Sequence, residues 1–172
     1  MKSAILLRGI NVGGHNKIAM SELKQALASV GYPEATTYLN SGNVIVNADH
    51  TVAANTVSDL IESQFGLTIP VVVQTKSQIK TAIKNNPFSA DEPKKLYVMY
   101  LNASVSVSKA TKLDTDAFTP DKIAVKGRHV YVLYSENAWA SKATIKVPEK
   151  AFGVTATARN WNTALKLVEL MD

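Results

Sequence analysis

The chain has 172 residues and a net charge of +5, with 46% hydrophobic residues, 19% charged residues and no cysteine. The lack of cysteine excludes disulfides, thiolate zinc sites and cysteine nucleophiles. The longest apolar runs fall far short of the roughly 20 residues that cross a bilayer, and Arg8 interrupts the amino-terminal apolar stretch before a signal-peptide cleavage site. We therefore expect a globular, cytosolic protein with no membrane span.

Histidine spacing and charge distribution narrow the classes of ligand. His15, His50 and His129 lie far apart, and none has a histidine or carboxylate four residues later on a predicted helix, so we expect no metal site. Lysine and arginine exceed aspartate and glutamate in both halves of the chain. A dispersed excess of this kind is typical of a solvated surface, although it also favours an anionic ligand or a nucleic acid through long-range attraction.

The first half of the chain predicts the order strand, helix, strand, strand, helix, strand. Apolar periodicity and turn chemistry place these elements at residues 3–7, 21–30, 36–39, 44–47, 51–65 and 69–74. Ser21 is the predicted N-cap of the first helix, and the turn Asn40-Ser41-Gly42-Asn43 predicts a hairpin. The predicted apolar stripe of the second helix consists of Val52, Thr56, Leu60 and Ile61.

The second half of the chain predicts the same order again. A short extra helix at 77–84 and a break at Asn85-Asn86-Pro87-Phe88 separate the halves. The predicted elements then follow at residues 96–101, 106–113, 122–125, 129–134, 143–152 and 154–158, with a closing helix at 161–171. A turn at Lys126-Gly127-Arg128 would make 122–134 a hairpin. We therefore predict an α+β fold of two tandem ferredoxin-like βαββαβ units, residues 1–88 and 89–172, each with an extra helix.

Two polar loops leave the same edge of the first predicted sheet. They are RGINVGGHNK, residues 8–17, and NSGN, residues 40–43. Their glycines permit positive φ and a close approach of backbone N–H groups to a ligand, while Arg8 and Lys17 supply positive charge. Their asparagines add hydrogen-bond donors and acceptors. The loops predict an anion-binding edge; the alternative is that the glycines only form a tight connection and a hairpin turn. The spacing matches neither a P-loop nor GxGxxG.

The segment TARNWNTALKL, residues 157–167, is a second candidate. Arg159, Asn160 and Asn162 follow a predicted strand at the start of a helix, where an arginine and helix N–H groups favour an anion. The alternative is that Asn160 or Asn162 caps the helix while Trp161 packs into the core. The sequence leaves both interpretations open.

The segments LLRGINVGGHNKIAMSELKQAL, TYLNSGNVIV, NNPF and TARNWNTALKL together resemble the bacterial DUF1697 family, which lacks an established activity. The resemblance spans nearly the whole chain. It points to two groups of positions, namely Arg8, Gly9, Asn11, Gly13, Gly14, Lys17, Ser41, Gly42 and Asn43, and Arg159, Asn160, Trp161 and Asn162. The segment 135–138 departs from the glycine-containing loop of the family, so nothing is carried over there.

Three classes of function follow from these features. The first is a protein that binds or acts on a small phosphate- or carboxylate-bearing ligand, with Ser41 or His15 as the most plausible reactive groups. The second is a tandem RNA-recognition-like module, whose aromatic platform is incomplete because Arg128 and Val130 occupy aromatic positions. The third is a protein-interaction module. The sequence specifies no catalytic residue, cofactor or oligomeric state. The residues expected to contact a ligand are Arg8, Asn11, Gly13, Gly14, His15, Lys17, Ser41, Asn43, Arg159, Asn160 and Asn162.

Overall fold

The computed structural model describes residues 2–172, which form a mixed α+β fold with two antiparallel sheets and six helices. The strands are β1 (Lys2–Leu7), β2 (Thr36–Tyr38), β3 (Asn43–Asn47), β4 (Val71–Thr75), β5 (Leu96–Val105), β6 (Lys122–Leu133) and β7 (Ala156–Asn160). The helices are α1 (Met20–Ser29), α2 (His50–Phe65), α3 (Lys76–Lys84), α4 (Val107–Ala110), α5 (Lys146–Phe152) and α6 (Trp161–Leu170). No helix within residues 2–172 is long and apolar enough to span a membrane.

The chain divides into two compact units. The first runs to Ser77 and takes in Leu170–Asp172, and the second consists of Gln78–Glu169. The domain boundary that the sequence predicts after residue 88 stays a prediction.

The sheet of the first unit has the strand order β2-β3-β1-β4, with every neighbouring pair antiparallel. Strand alternation places Ile5, Leu7, Val44 and Val46 on one face, where they pack with residues of α1 and α2 in a single hydrophobic core. The central strand β1 is buried from Ser3 onwards. The loop after β1 and the β2–β3 turn therefore extend from a rigid centre.

The helices of the first unit correct two details of the sequence prediction. Helix α1 begins at Met20, with Ala19 rather than Ser21 at the N-cap position and no side-chain cap. In α2 the buried stripe is Ala53, Val57, Leu60 and Ile61, whereas Val52 is exposed. The Asp49 carboxylate accepts hydrogen bonds from Thr51 and Val52 N–H. This cap starts the helix one residue earlier than predicted, and the core stripe runs at i, i+4, i+7 and i+8 from Ala53.

The sheet of the second unit has three strands in the order β6-β5-β7, again antiparallel throughout. Its core on one face includes Met99, Leu101, Val130 and Val132. Tyr134 closes this core, because its buried hydroxyl donates to the carbonyl of Ala143 at 2.8 Å.

The predicted hairpin at residues 122–134 is wrong, because this segment is one strand, β6. Its partner β5 continues beyond Tyr100, which lies opposite His129, to Val105, which lies opposite Gly127. The register shifts between these two pairs. Gly127 has a φ of 59°, which lets the strand absorb the irregularity without turning back.

Two helices of the second unit are shorter than predicted. The region 106–113 contains only α4, Val107–Ala110, which Ser106 caps by accepting a hydrogen bond from Lys109 N–H. The region 143–152 contains α5, which begins at Lys146 so that Pro148 falls in its first turn. Proline is tolerated there because the N–H groups of a first turn have no intrahelical partner.

His129 is a buried titratable group of the second unit. Its side chain is 4% exposed, its ring packs edge-on against Tyr100 with centroids 5.7 Å apart, and its Nε2 has no hydrogen-bond partner within residues 2–172. Burial, and then the positive charge of Arg128, lower the pKa of His129 to about 4. The neutral imidazole is therefore the form that the folded protein holds at neutral pH.

This burial predicts a loss of stability in mild acid. The unfolded chain takes up a proton on this histidine near pH 6.5 and the folded chain only near pH 4, so stability falls as the pH drops between these values. We expect a loss of about 2 kcal/mol in unfolding free energy between pH 7.5 and 5.0 from this group. Urea unfolding of the parent and of His129→Phe at both pH values checks this. Equal losses in the two proteins would contradict the assignment.

Candidate functional site

The loop between β1 and α1, which begins with RGINVGG and includes residues 8–17, has an unusual backbone. Five of its residues have positive φ, namely Gly9, Asn11, Gly13, Gly14 and Asn16, with φ of 68°, 54°, 58°, 76° and 50°. Asn11 N–H donates to the carbonyl of Asn16 at 3.1 Å, and His15 N–H donates to the carbonyl of Val12 at 3.0 Å. Left-handed conformations are disfavoured for residues with a side chain and favour glycine and asparagine. The compact backbone of this loop therefore explains why glycine and asparagine occur at these positions.

The side chain of Asn11 ties this loop to the NSGN turn. Its Nδ2 donates to the carbonyl of Ile18 at 2.9 Å and to the carbonyl of Asn40 at 2.9 Å. Its Oδ1 accepts from Ile18 N–H at 2.8 Å. Asn11 thus uses its donors and an acceptor on backbone groups of two loops, and its role is to hold them together.

The NSGN turn is held by close packing and by Asn43. Gly42 has a φ of 81°, and a Cβ placed there would lie 2.7 Å from Ile10 Cδ1 and 2.8 Å from Leu7 Cβ. Asn43 is buried, and its Nδ2 donates to the carbonyl of Tyr38 at 2.7 Å and to Ser41 Oγ at 3.2 Å. These contacts position the turn and leave Asn43 no exposed surface.

A groove of about 650 Å³ lies beside the two loops; we call it the amino-terminal groove. It is lined by Asn11, Gly14, Lys17, Ile18, Ala19, Glu22 and Asn40. Lys17 and Glu22 are its charged residues and are both exposed. Among residues 2–172, neither of these two side chains has a hydrogen bond or an ion pair, and the same holds for the amide of Asn40. These three side chains are therefore free to meet a ligand.

The predicted site residues of the first unit divide into two groups. Asn11, Gly14 and Lys17 line the amino-terminal groove, whereas Arg8, Gly13, His15, Ser41 and Asn43 do not. Arg8 is half-buried, and its backbone N–H donates to the carbonyl of Pro70 at 3.0 Å.

Sequence reasoning missed four groove residues, namely Ile18, Ala19, Glu22 and Asn40. Glu22 lies in the first turn of α1, beyond the polar loops at residues 8–17 and 40–43 to which the predicted anion-binding edge was confined. Asn40 was one of the loop asparagines expected to form hydrogen bonds, but it was not among the residues expected to contact a ligand. The usable signal was its place two residues before Gly42, in the loop that faces RGINVGG.

The RNWNT segment belongs to the second compact unit. Asn160 Oδ1 accepts from Thr163 N–H at 2.9 Å and from Thr163 Oγ1 at 2.9 Å, so Asn160 caps the first turn of α6. Trp161 is buried, while Asn162 is exposed. The capping alternative accounts for Asn160 and Trp161.

Arg159 of the same segment is a buried cation. Its side chain is 5% exposed, and Nη1 donates to Thr157 Oγ1 at 2.8 Å and to the carbonyl of Ala158 at 2.7 Å. Burial lowers its pKa to about 10, so the guanidinium stays charged at neutral pH. Its contacts within the second unit orient the side chain along β7.

A second cavity, of about 280 Å³, lies in the second unit and includes Asp121, Ser135 and Ser141 in its lining. Asp121 accepts from Ser135 N–H at 2.7 Å, Ser135 Oγ at 3.0 Å and Ser141 Oγ at 2.5 Å. Burial raises the pKa of Asp121, but these hydrogen bonds outweigh it and leave the pKa below its usual value. The carboxylate thus organises the surrounding loops.

Tyr97 and Tyr131 lie on β5 and β6, the strands that an RNA-binding platform would use, and both rings are partly or fully covered. Tyr131 is buried, and its hydroxyl donates to the carbonyl of Ala82 at 2.7 Å. Tyr97 packs edge-on against Tyr134 with ring centroids 5.2 Å apart.

Within residues 2–172 no three histidine, aspartate or glutamate side chains come together as a metal-binding group.

Comparison with known proteins places the chain in a family. Over 99% of this chain and 98% of the other, its structure is similar to that of the conserved bacterial protein SP0830 from Streptococcus pneumoniae, with a TM-score of 0.71 and 21% sequence identity. This likeness concerns the fold alone. No curated protein matches the sequence. The family model "Protein of unknown function (DUF1697)" matches residues 1–131, and the chain therefore belongs to the DUF1697 family.

Proposed function

We propose that the amino-terminal groove binds a small anionic ligand that bears a phosphate or a carboxylate. The observation that carries this proposal is the position of Lys17, a cation without a partner within residues 2–172, on the wall of a groove of about 650 Å³. The amide of Asn40 lines the same groove and adds a hydrogen-bond donor. Charge-assisted hydrogen bonds to phosphate or carboxylate are stronger than neutral ones.

The backbone of the groove supports the same chemistry. Gly14 lines the groove with a φ of 76°, and successive residues with unusual backbone angles expose N–H groups that favour anions. Helix α1 starts at this groove without a side-chain cap, which leaves its first-turn N–H groups without a side-chain acceptor. Both features add partial positive charge near Lys17.

The asparagines support a preformed site. Asn11 and Asn43 are committed to backbone carbonyls at 2.7–2.9 Å, so the loops are held in one arrangement. A preformed loop loses little conformational entropy when a ligand binds. The geometry favours binding as the basic activity, because Ser41 and His15 are not among the groove residues.

Removing the charge of Lys17 tests the proposal. We expect Lys17→Met to weaken binding of propyl phosphate about fivefold at low salt, since a partly exposed charge contact contributes on the order of 1 kcal/mol. Isothermal titration calorimetry or NMR titration at pH 7.5 gives both affinities. Lys24→Met is the matched control, because Lys24 is an exposed lysine on α1 outside the groove. Binding that is equal in all three proteins would remove Lys17 from the site.

We also infer that the two units are versions of one ferredoxin-like unit. The central strands follow the same antiparallel pattern in both: β1 lies between β3 and β4, and β5 lies between β6 and β7. This pattern is that of a βαββαβ unit, except that the second unit has no strand equivalent to β2. A solved structure with parallel pairing or another strand order in the second unit would contradict the inference.

A further inference from the structure

We infer that the ligand of the amino-terminal groove is a small zwitterion, with an ammonium group as well as a phosphate or carboxylate. This inference rests on the proposed function and adds the class of ligand to it. It is carried by the two charged residues of the groove, Lys17 and Glu22, which have opposite signs.

Lys17 and Glu22 share one groove but do not pair with each other. Within residues 2–172 neither side chain takes part in an ion pair or a hydrogen bond. A ligand that carries only an anion would satisfy Lys17 and bring a second negative charge near Glu22, where like charges repel. A ligand that carries both charges satisfies both residues. The groove is thus electrostatically matched to a molecule with a cation at one end and an anion at the other.

The remaining lining fits the middle of such a molecule. Ala19, an exposed residue that lies between the two charged residues in the sequence, contributes apolar surface to the groove, and a short alkyl or sugar skeleton can rest on it. The Asn40 side chain provides a donor and an acceptor, so it can bond to either end group. The groove, about 650 Å³ in volume, has room for a ligand of several carbon atoms.

Glu22 also has a structural effect, because a carboxylate in the first turn of α1 interacts favourably with the helix dipole. That effect changes the stability of the helix but not the preference between two ligands. The measurement that separates the two roles is therefore a selectivity ratio.

The test compares propyl phosphate with 3-aminopropyl phosphate, which differ only by the ammonium group. The net charge of +5 on the chain favours the more negative propyl phosphate through long-range attraction. A preference for the amino compound therefore needs a local carboxylate. We expect the parent protein to bind 3-aminopropyl phosphate about threefold more tightly than propyl phosphate, the size of an exposed charge pair. NMR titration at pH 7.5 measures both dissociation constants.

Two variants test whether Glu22 causes the preference for 3-aminopropyl phosphate. We expect Glu22→Gln to abolish the preference and to bind propyl phosphate at least as tightly as the parent, because a repelling charge is removed, and Glu34→Gln, an exposed glutamate outside the groove, to leave the preference unchanged. Equal affinities of the parent for both compounds, or a preference that survives in Glu22→Gln, would overturn the zwitterion inference and leave the anion site standing. A lack of binding by both compounds, or binding that Lys17→Met does not weaken, would instead overturn the proposed function.

Discussion

Replacing Gly42 with alanine is expected to lower the free energy of unfolding by about 3 kcal/mol. Two costs add. The backbone φ of 81° is unfavourable for a residue with a Cβ, and the new methyl group would lie 2.7 Å from Ile10 Cδ1 and 2.8 Å from Leu7 Cβ. Ile10 and Leu7 are fully buried, so they have no free space into which to move. Urea unfolding followed by circular dichroism measures the change.

Gly9→Ala is the matched control for this substitution. Gly9 has a φ of 68°, and nothing lies within 4 Å of the position of a new Cβ. It therefore carries the backbone cost without the clash, and we expect a loss of about 1 kcal/mol. If the two variants lost the same stability, the close packing of the NSGN turn against Ile10 and Leu7 would be refuted.

The second large effect is expected for Asn11→Ala, which removes three hydrogen bonds, two to Ile18 in the same loop and one to Asn40 of the NSGN turn. The substitution leaves Ile18 N–H and the carbonyls of Ile18 and Asn40 without these partners, and we expect a loss of about 3 kcal/mol in unfolding free energy. We also expect weaker binding of propyl phosphate, because the groove wall would no longer be held in one position.

Asn16→Ala separates the hydrogen bonds from the backbone cost. Asn16 has a φ of 50° against 54° for Asn11, but within residues 2–172 its side chain makes a single hydrogen bond, from Nδ2 to the carbonyl of Gly9 at 3.0 Å. The backbone costs of the two substitutions are therefore similar. We expect Asn16→Ala to lose about 2 kcal/mol less than Asn11→Ala. Similar losses would mean that the side-chain bridge from Asn11 contributes little.

The sequence was more informative for the first unit than for the second. In residues 3–74 the six predicted elements all exist, since apolar patterns mark the strands and helices and glycine or asparagine ends several of them. The pattern failed at 122–134, because Lys126-Gly127-Arg128 is turn chemistry in isolation. In the structure, the continuation of β5 pairs Val105 with Gly127 inside this segment, and that partner is distant in sequence.

The composition of the two loops indicated their backbone conformation but not the partners of their side chains. The cluster of glycine and asparagine correctly indicated unusual backbone, and Lys17 lines the amino-terminal groove, while its contact with a ligand stays a prediction. Asn11 and Asn43 hold the loops together, and their predicted contacts with a ligand also stay predictions. Asparagine serves both purposes equally well by its chemistry, so only its neighbours in space decide between them. Asn160 is a similar case, because its side-chain oxygen accepts a hydrogen bond from the helix N–H of Thr163.

The most direct test of the anion site is an NMR titration of the ¹⁵N-labelled protein with propyl phosphate. We expect saturable changes in backbone amide shifts centred on Gly14, Lys17 and Ala19, which line the amino-terminal groove, and much smaller changes in β5, β6 and β7. The backbone amide signal of Asn40 is expected to shift with them, since Asn40 lines the same groove. Absence of saturable shifts, or shifts centred on the second unit, would contradict the proposal that this groove is the binding site.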